Sequence, residues 1–307
     1  MATSIRESAT RSNPNGTLPA ALAPVRAERS EAARVLLALR RNRAATIGLA
    51  IVAVYILVAL AVDWLPLRNP TQMTATSRLT GPSWEMPFGA DSFGRDLFSR
   101  ILFGAQLSLR VALLSVTISL LVGSVLGLVS GYAGGWIDQI IMRLMDVFFS
   151  FPPVLLALGI VAALGPSPNN VIIAIAVVYT PIFARVVRGP VLVLKEREFV
   201  EAARALGASA TRITRRHILP NVLSVIIVQA SIALSWAILT EASLSFLGLS
   251  AQPPTPSWGV MLNEGRQTLE LAPHMAIFPG LAIMLAVLGF NLLGDGLRDV
   301  LDPQQRQ

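Results

Sequence analysis

The chain has 307 residues and a formal net charge of +7 at pH 7. Only 14% of its residues are charged and 53% are hydrophobic, whereas a soluble domain carries about 25% charged residues, so the composition argues for a membrane protein. The sequence contains no cysteine, which excludes a disulfide framework, a thiolate nucleophile and a cysteine-based metal site.

The positive charge does not indicate binding to nucleic acid. Its carriers are almost all arginine, because Lys195 is the one lysine of the sequence, and they cluster at the ends of hydrophobic runs. The positive-inside rule gives this distribution to a membrane protein. We therefore expect membrane lipid, and no nucleic acid, among the partners of the chain.

Residues 1–45 predict a cytoplasmic tail. The first 28 residues are rich in Ala, Ser, Pro, Asn and Arg and have little periodicity, which is typical of a disordered segment. Residues 29–43 have the pattern of a short basic amphipathic helix, and such a helix lies on an anionic membrane face.

Six hydrophobic runs follow, and each approaches the roughly 20 residues that cross about 30 Å of hydrocarbon. They lie at about residues 46–65, 107–130, 140–164, 171–189, 222–242 and 275–296. They predict an all-α polytopic membrane domain at 46–297, with six transmembrane helices and a cytoplasmic tail at 298–307. Pro152 and Pro153 should kink or end a helix within the third run, because proline removes a backbone donor. An even number of spans places both termini on one side.

The arginines near the span ends predict the orientation. One group precedes the first span and a larger group lies between the fourth and fifth spans, so both segments should be cytoplasmic. The basic residues concerned are Arg34, Arg40, Arg41, Arg43, Arg185, Arg188, Lys195, Arg197, Arg204, Arg212, Arg215 and Arg216. The 66–105 loop also carries arginines, but acidic residues offset them, and we place this loop outside the cell.

The second span carries a stripe of small residues that recur every four positions. They are Ser115, Ser119, Gly123, Gly127 and Gly131. This spacing places them along one helix face, where small side chains permit close helix–helix approach in lipid. The stripe packs either within this subunit or against a partner subunit or a moving neighbour.

Charged residues at membrane depth are scarce. Arg143 and Asp146 lie three residues apart, so they share a helix face and are expected to pair; a proton or ion relay is the alternative reading. Gln229 either lines a polar pathway or bonds a neighbouring helix, and Glu241 lies at the external end of the fifth span. This scarcity argues against a secondary transporter or channel, which would use paired ionisable groups within the membrane.

The segment 195–220 predicts a helix–turn–helix elbow on the cytoplasmic surface. Residues 200–206 are mostly strong helix formers, and Gly207 supplies a left-handed stop. Ser209 can cap a second helix over residues 210–218, and Pro220 marks the entry to the fifth span.

The elbow resembles the EAA signature of importer-type ABC permeases. The matching residues are Glu201, Ala202, Ala203, Gly207, Leu219 and Pro220. His217 occupies a position where the common form has Ile or Val, and the run from Arg216 to Asn221 resembles the peptide-importer branch. Further segments at 88–96, 131–136, 242–249, 253–259 and 291–299 extend the resemblance to the C-type subunit of dipeptide, oligopeptide and nickel importers.

The resemblance implies a type I ABC importer permease fold, with the elbow seated in a groove on a cytoplasmic ATPase. The implied partners are a homologous second permease, two cytoplasmic ATP-binding subunits and an external solute-binding protein. The external segments 66–105 and 249–274 would receive that binding protein. The implied location is the inner membrane of a bacterium, with both termini cytoplasmic.

The implied function is half of a translocation pathway for di- or oligopeptides. Nickel chelates, glutathione or another small solute remain alternative substrates. No bond chemistry is expected of this chain, because Lys195 does not follow a glycine-rich loop and the two histidines, His217 and His274, are far apart in sequence. ATP and magnesium would be bound by the partner subunits, and no catalytic, cofactor or metal residues are expected here.

Overall fold

A computed structural model describes residues 42–301. The predicted amphipathic helix at 29–43 and the last residues of the predicted C-terminal tail lie almost wholly outside this range. Within it the chain is helical and contains no strand, only an isolated bridge between Ala90 and Asp96. The all-α prediction is therefore confirmed for the described residues.

Ten α-helices lie within residues 42–301. They are α1 Arg43–Ala61, α2 Leu97–Ala133, α3 Gly135–Phe149, α4 Pro153–Leu164, α5 Pro168–Leu194, α6 Glu198–Ala205, α7 Ala210–Ile213, α8 Leu219–Phe246, α9 Trp258–Arg266 and α10 His274–Leu301. The predicted tail at 298–307 begins inside α10, which continues to Leu301.

Polar side chains fix several helix starts by accepting otherwise unpaired backbone N–H groups. Asn42 accepts from the Ala45 amide at 3.1 Å at the start of α1. Asp96 accepts from the Ser99 amide at 2.9 Å and so sets the beginning of α2. That helix has 37 residues and extends beyond the predicted second span on the external side.

Five helices are long and apolar enough to cross a membrane: Arg43–Trp64, Leu97–Ala133, Pro168–Leu194, Ala210–Phe246 and His274–Leu301. The third predicted span is instead a bent pair, α3 and α4, which meet at 89°. Helix α3 ends at Phe149 and α4 begins at Pro153, so the predicted effect of the proline pair is confirmed. The pair completes six crossings when it counts as one.

The small-residue stripe of α2 lies against α5 of the same chain. A Cβ atom on Gly123 would stand 2.5 Å from the Thr180 carbonyl oxygen, and one on Gly127 would stand 2.5 Å from the Ala184 carbonyl oxygen. Only glycine permits this backbone approach. The two helices therefore share a closely packed seam that runs toward the C-terminal ends of both, where Gly131 meets Val191.

Helices α1 and α10 make a second close seam. A Cβ atom on Gly48 would stand 2.5 Å from the Leu293 amide nitrogen. Tyr55 donates its hydroxyl to the Ala282 carbonyl at 2.8 Å, and its ring meets that of Trp258 edge-on at 5.6 Å. The first span is thus tied both to the last span and to the external helix α9.

Candidate functional site

The elbow turns at a glycine that local hydrogen bonds require to be left-handed. The Ala208 amide donates to the Ala203 carbonyl and the Gly207 amide donates to the Arg204 carbonyl, both at 3.0 Å. This pair of bonds is a Schellman motif, which ends a helix at a residue of positive φ. Gly207 has φ +78 and ends α6 as the sequence predicts.

The elbow has two arms, α6 and α7, and the second arm is continuous with the candidate membrane helix α8. Ser209 accepts from the Arg212 amide at 3.4 Å and caps α7, as expected from the sequence. A π-helical turn, Thr214–Ile218, then joins α7 to α8, and the Leu219 amide donates to the Thr214 carbonyl. Pro220 explains the wider turn, because its ring cannot donate and would clash with the carbonyl four residues earlier. The predicted second helix therefore has no end of its own.

The elbow is anchored by a small apolar core that it shares with α5 and α8. Val200, Ile213 and Ile218 are fully or almost fully buried, and they pack with Val191 of α5 and Val222 of α8. Ala203 is partly buried against the same cluster. The inward faces of both arms are thus held to the ends of two membrane helices.

The outward face of the elbow exposes apolar side chains. Leu206, beside the helix-ending glycine, is 89% exposed, and Phe199 is 44% exposed. Glu201 and Ala202 are also exposed. Both large apolar side chains lie outside the candidate membrane spans Pro168–Leu194 and Ala210–Phe246. Leu206 and Phe199 are absent from the sequence-based set of site residues.

The basic residues of the elbow point away from the protein. Arg212, Arg215 and Arg216 are exposed and form no ion pair with any residue between 42 and 301. His217 is partly buried, with its ring 6.3 Å from that of Phe199. Its backbone carbonyl accepts from the Asn221 side chain at 2.6 Å.

Two ion pairs join α3 to α5 near the elbow. Arg188 holds both carboxylate oxygens of Asp138, at 2.6 and 2.5 Å. Arg185 donates to Asp146 at 2.6 Å and lies over the Phe149 ring. The predicted pairing of Arg143 with Asp146 is therefore wrong, because an arginine on α5 binds Asp146 instead.

A buried cluster of two arginines and two carboxylates joins the loop before α2 to α2 and α9. Because the sequence predicts this end to be external, we name it the external clamp: Asp91, Arg95, Arg100 and Glu264. Arg95 Nε donates to Asp91 Oδ2 at 2.5 Å, and its Nη2 lies 3.0 Å from both oxygens of Glu264. Arg100 Nη2 lies 3.3 Å from Glu264. Asp91 and both arginines are 1% exposed or less. The charges balance within the cluster, as buried charges must.

The external clamp joins segments that are distant in sequence. Arg100 Nη1 donates to the carbonyls of Pro70 and Pro254, both at 3.2 Å. His274 contacts the Ala90 carbonyl at 3.3 Å through Nε2. Arg95 and Arg100, two of the arginines in segment 66–105, are thus neutralised by carboxylates of the same chain.

Two polar residues of α8 have different environments. Glu241 is fully buried, and Ser250 donates to its Oε1 at 3.5 Å. Gln229 lies mid-helix and half-buried, without a hydrogen bond to any described residue. The structure therefore shows no bond from the Gln229 side chain to a neighbouring helix within residues 42–301.

Metal ligands do not cluster in the described part of the chain. Among residues 42–301 there is no group of three or more His, Asp or Glu side chains placed to hold an ion. His217 lies on the elbow and His274 lies among the external loops. The polar groups described above instead join helices and loops to one another.

Comparison with known proteins places this architecture. The family model described as "Binding-protein-dependent transport system inner membrane component" matches residues 123–307. A second, described as "N-terminal TM domain of oligopeptide transport permease C", matches residues 30–82. The solved inward-facing MetNI methionine ABC transporter is similar in fold, with a TM-score of 0.54 at 19% identity over 66% of this chain and 96% of the other.

Curated relatives are similar along most of the chain. The dipeptide transport system permease protein DppC of Alkalihalophilus pseudofirmus is 50% identical over 87% of this chain and 88% of its own length. The glutathione transport system permease protein GsiD of Pectobacterium atrosepticum is 54% identical over 73% of this chain and 74% of its own. GsiD of Escherichia coli is 50% identical over 86% and 88%. This chain belongs to the inner-membrane permeases of binding-protein-dependent ABC transport systems, in the C-type branch of the dipeptide and oligopeptide importers.

Proposed function

We propose that this chain forms half of the translocation pathway of an ATP-driven peptide importer and receives its driving force through the elbow. One observation carries the proposal: the second arm of the elbow is continuous with the candidate membrane helix α8, while Phe199 and Leu206 on and beside its first arm are exposed. A partner that grips this exposed surface moves a transmembrane helix directly. The permease itself hydrolyses nothing.

The partners follow from this arrangement and from the family. Two cytoplasmic ATPase subunits bind ATP and magnesium, and one of them takes the elbow of this chain into a groove. A homologous second permease supplies the other half of the pathway. A solute-binding protein docks on the external segments 66–105 and 249–274. Both termini lie in the cytoplasm of a bacterium, and this chain carries no cofactor.

The transport cycle is an alternation between two states of the helices. ATP binding closes the ATPases and draws the elbows together, which favours the outward-facing state; hydrolysis releases them. Such a ligand shifts the equilibrium only by its differential affinity for the two states. The permease therefore needs a link between elbow and pathway, and the continuous helical segment Ala210–Phe246, which includes the π-helical turn Thr214–Ile218, provides it.

The proposed substrate is a di- or oligopeptide, supported by the name of the DppC relative. Glutathione is the second candidate, because GsiD proteins are equally similar. Nickel chelates and other small solutes are further alternatives. Uptake assays with dipeptide, glutathione and a nickel chelate, each offered with the cognate binding protein, separate these candidates.

Replacement of Gly207 tests the coupling. The complex is reconstituted in proteoliposomes with its ATPases and binding protein, and ATP hydrolysis and peptide uptake are measured together. No atom lies within 4 Å of a Cβ built on Gly207, so a side chain there strains only the left-handed backbone, by about 1–2 kcal/mol. Gly207→Val should insert normally and hydrolyse ATP, but take up peptide at least roughly tenfold more slowly.

Two variants control this experiment. Gly207→Asn should retain most of the uptake, because asparagine tolerates the left-handed region. Gly189→Ala, at another uncrowded glycine but within α5, should transport normally. Undiminished uptake by Gly207→Val would contradict the coupling role of the elbow, and a wild-type complex without ATP-dependent peptide uptake would contradict the proposed function.

A further inference from the structure

A cleft of about 320 Å³ opens beside the external part of α2. One wall is a single face of that helix, and the other comes from the segment that precedes α9. The lining residues are Phe103, Gln106, Leu107, Arg110, Thr255 and Pro256. The volume lies within the range of small-molecule sites.

The cleft contains a cation without a counter-ion. Arg110 is exposed and forms no ion pair or hydrogen bond with any residue of the described range 42–301. The arginines of the external clamp, in contrast, are neutralised by carboxylates. One turn above Arg110, Gln106 donates its side-chain amide to Asp63 at 3.0 Å. That bond engages the carboxylate in this neighbourhood and leaves the guanidinium unmatched.

Arg110 lies at the boundary between the polar external part of α2 and its apolar part. The charge-free run of α2 begins at the next residue, Val111. Above it, Trp258 donates to the Ile101 carbonyl at 3.0 Å and covers that turn. Arg110 therefore lies about 13 Å along the helix below this cover, from nine residues at 1.5 Å each. It stands between the external loops and the apolar part of the helix.

We propose that Arg110 binds the carboxylate of the transported peptide as the peptide enters the pathway, with Gln106 and Thr255 as neutral neighbours. The proposal rests on the proposed function and adds the chemical feature of the substrate that this chain recognises. A guanidinium presents paired donors that match a carboxylate in geometry and charge. The apolar side chains Phe103 and Leu107 complete the cleft and suit the aliphatic part of a peptide.

The phosphate of a lipid headgroup has the same charge and is the competing occupant. The cleft distinguishes the two, because Thr255 and Pro256 wall Arg110 on the side of the external loops. A residue that merely anchors the helix in the headgroup region needs no such wall. A peptide released by the external solute-binding protein would enter between this wall and α2.

The test compares a dipeptide with its C-terminal amide, chosen so that the binding protein binds both. Each is presented as the saturated binding-protein complex to proteoliposomes, and the uptake rates are measured. Loss of a charge-assisted contact corresponds to roughly a 10- to 100-fold effect. Arg110→Gln should slow uptake of the free acid by at least about tenfold and leave uptake of the amide almost unchanged. Arg110→Lys should retain part of the preference for the acid.

Arg78→Gln is the matched control, because Arg78 is an exposed external arginine outside the cleft; it should leave the ratio of acid to amide unaltered. An unaltered ratio in Arg110→Gln overturns the inference, whether or not that variant retains less lipid. This outcome differs from failure of the proposed function, in which the wild-type complex takes up neither peptide.

A thiol placed in the cleft gives an independent measurement. The natural chain has no cysteine, so Leu107→Cys is its one reactive thiol and Leu271→Cys is a control on the external surface. Binding protein loaded with the free acid should protect position 107 from a membrane-impermeant maleimide better than binding protein loaded with the amide. Position 271 should react equally with both. Equal labelling at position 107 contradicts the proposal.

Discussion

Arginine has opposite roles at the two ends of this molecule. In the external clamp, Arg95 and Arg100 are buried and their charges are neutralised by Asp91 and Glu264. On the cytoplasmic elbow, Arg212, Arg215 and Arg216 are exposed and have no ion-pair partner within residues 42–301. The difference teaches that the number of arginines in a loop does not determine what the loop does.

The external clamp region and the elbow also differ in the exposure of particular large apolar side chains. The external loops bury Trp258 completely, whereas the elbow leaves Leu206 almost fully exposed. Trp84 and Leu271 of the same loops are nevertheless exposed, so the contrast is between the buried surroundings of Trp258 and the exposed tip of the elbow, not between two whole ends of the molecule. Changes at the external clamp should reduce stability, and changes at the elbow should reduce assembly.

The largest effect is expected from Arg95→Met. Loss of this guanidinium leaves Arg100 as the one cation beside the two carboxylates of the clamp, and removal of one partner from a buried ion pair typically costs about 3–5 kcal/mol. The thermal unfolding midpoint of the purified protein should fall markedly, as measured by tryptophan fluorescence. The exposed control Arg78→Met should unfold like the wild type. An equally stable Arg95→Met protein would show that the clamp is not needed for stability.

An intermediate effect is expected from Leu206→Asp. The side chain is exposed in the isolated subunit, so stability should be unaltered, but a carboxylate in an apolar groove of the ATPase should weaken binding by roughly tenfold or more. Co-purification of the ATPase subunits reports this loss. Leu271→Asp, 78% exposed on the external side, should retain the ATPases. Retention by Leu206→Asp would remove this leucine from the docking surface.

The smallest effect is expected from salt. The Debye length falls from about 10 Å at 0.1 M to about 3 Å at 1 M, so exposed arginines of the elbow lose their attraction for acidic or phosphate groups. The apparent affinity of the ATPases should fall a few-fold between these concentrations. The unfolding midpoint, which depends on the buried clamp, should change little. A large fall in the unfolding midpoint with no change in ATPase affinity would contradict the roles assigned to the external clamp and the elbow.

Much of this fold follows from local sequence signals. The elbow is predicted because Gly207 and Ser209 act within their own turns, and the break at Pro152–Pro153 follows from the missing donors. The membrane spans are also predicted from local signals, because each long apolar run depends only on its own composition. The stripe on α2 reveals a packing face, although the identity of its partner helix requires the folded chain.

Long-range pairing could not be read from the sequence. Asp146 meets Arg185, which is 39 residues away, instead of Arg143 on its own helix. Arg95 meets Glu264 across 169 residues. Spacing in a helix reports only neighbours three or four positions apart, so contacts made by tertiary folding escape it. The exposure of Leu206 is hidden for the same reason, since leucine in a sequence is normally assigned to a core.

The helical segment Ala210–Phe246 consists of α7, the π-helical turn and α8 and has 37 residues, about 55 Å at 1.5 Å per residue. If such a segment tilts by about ten degrees around its middle, each end shifts by about 5 Å, in opposite directions. In the proposed transport cycle, a push on the elbow would therefore reach the opposite end of this helical segment as a displacement of this size. Release of the emptied solute-binding protein and opening of the pathway would then both result from one movement of this helical segment.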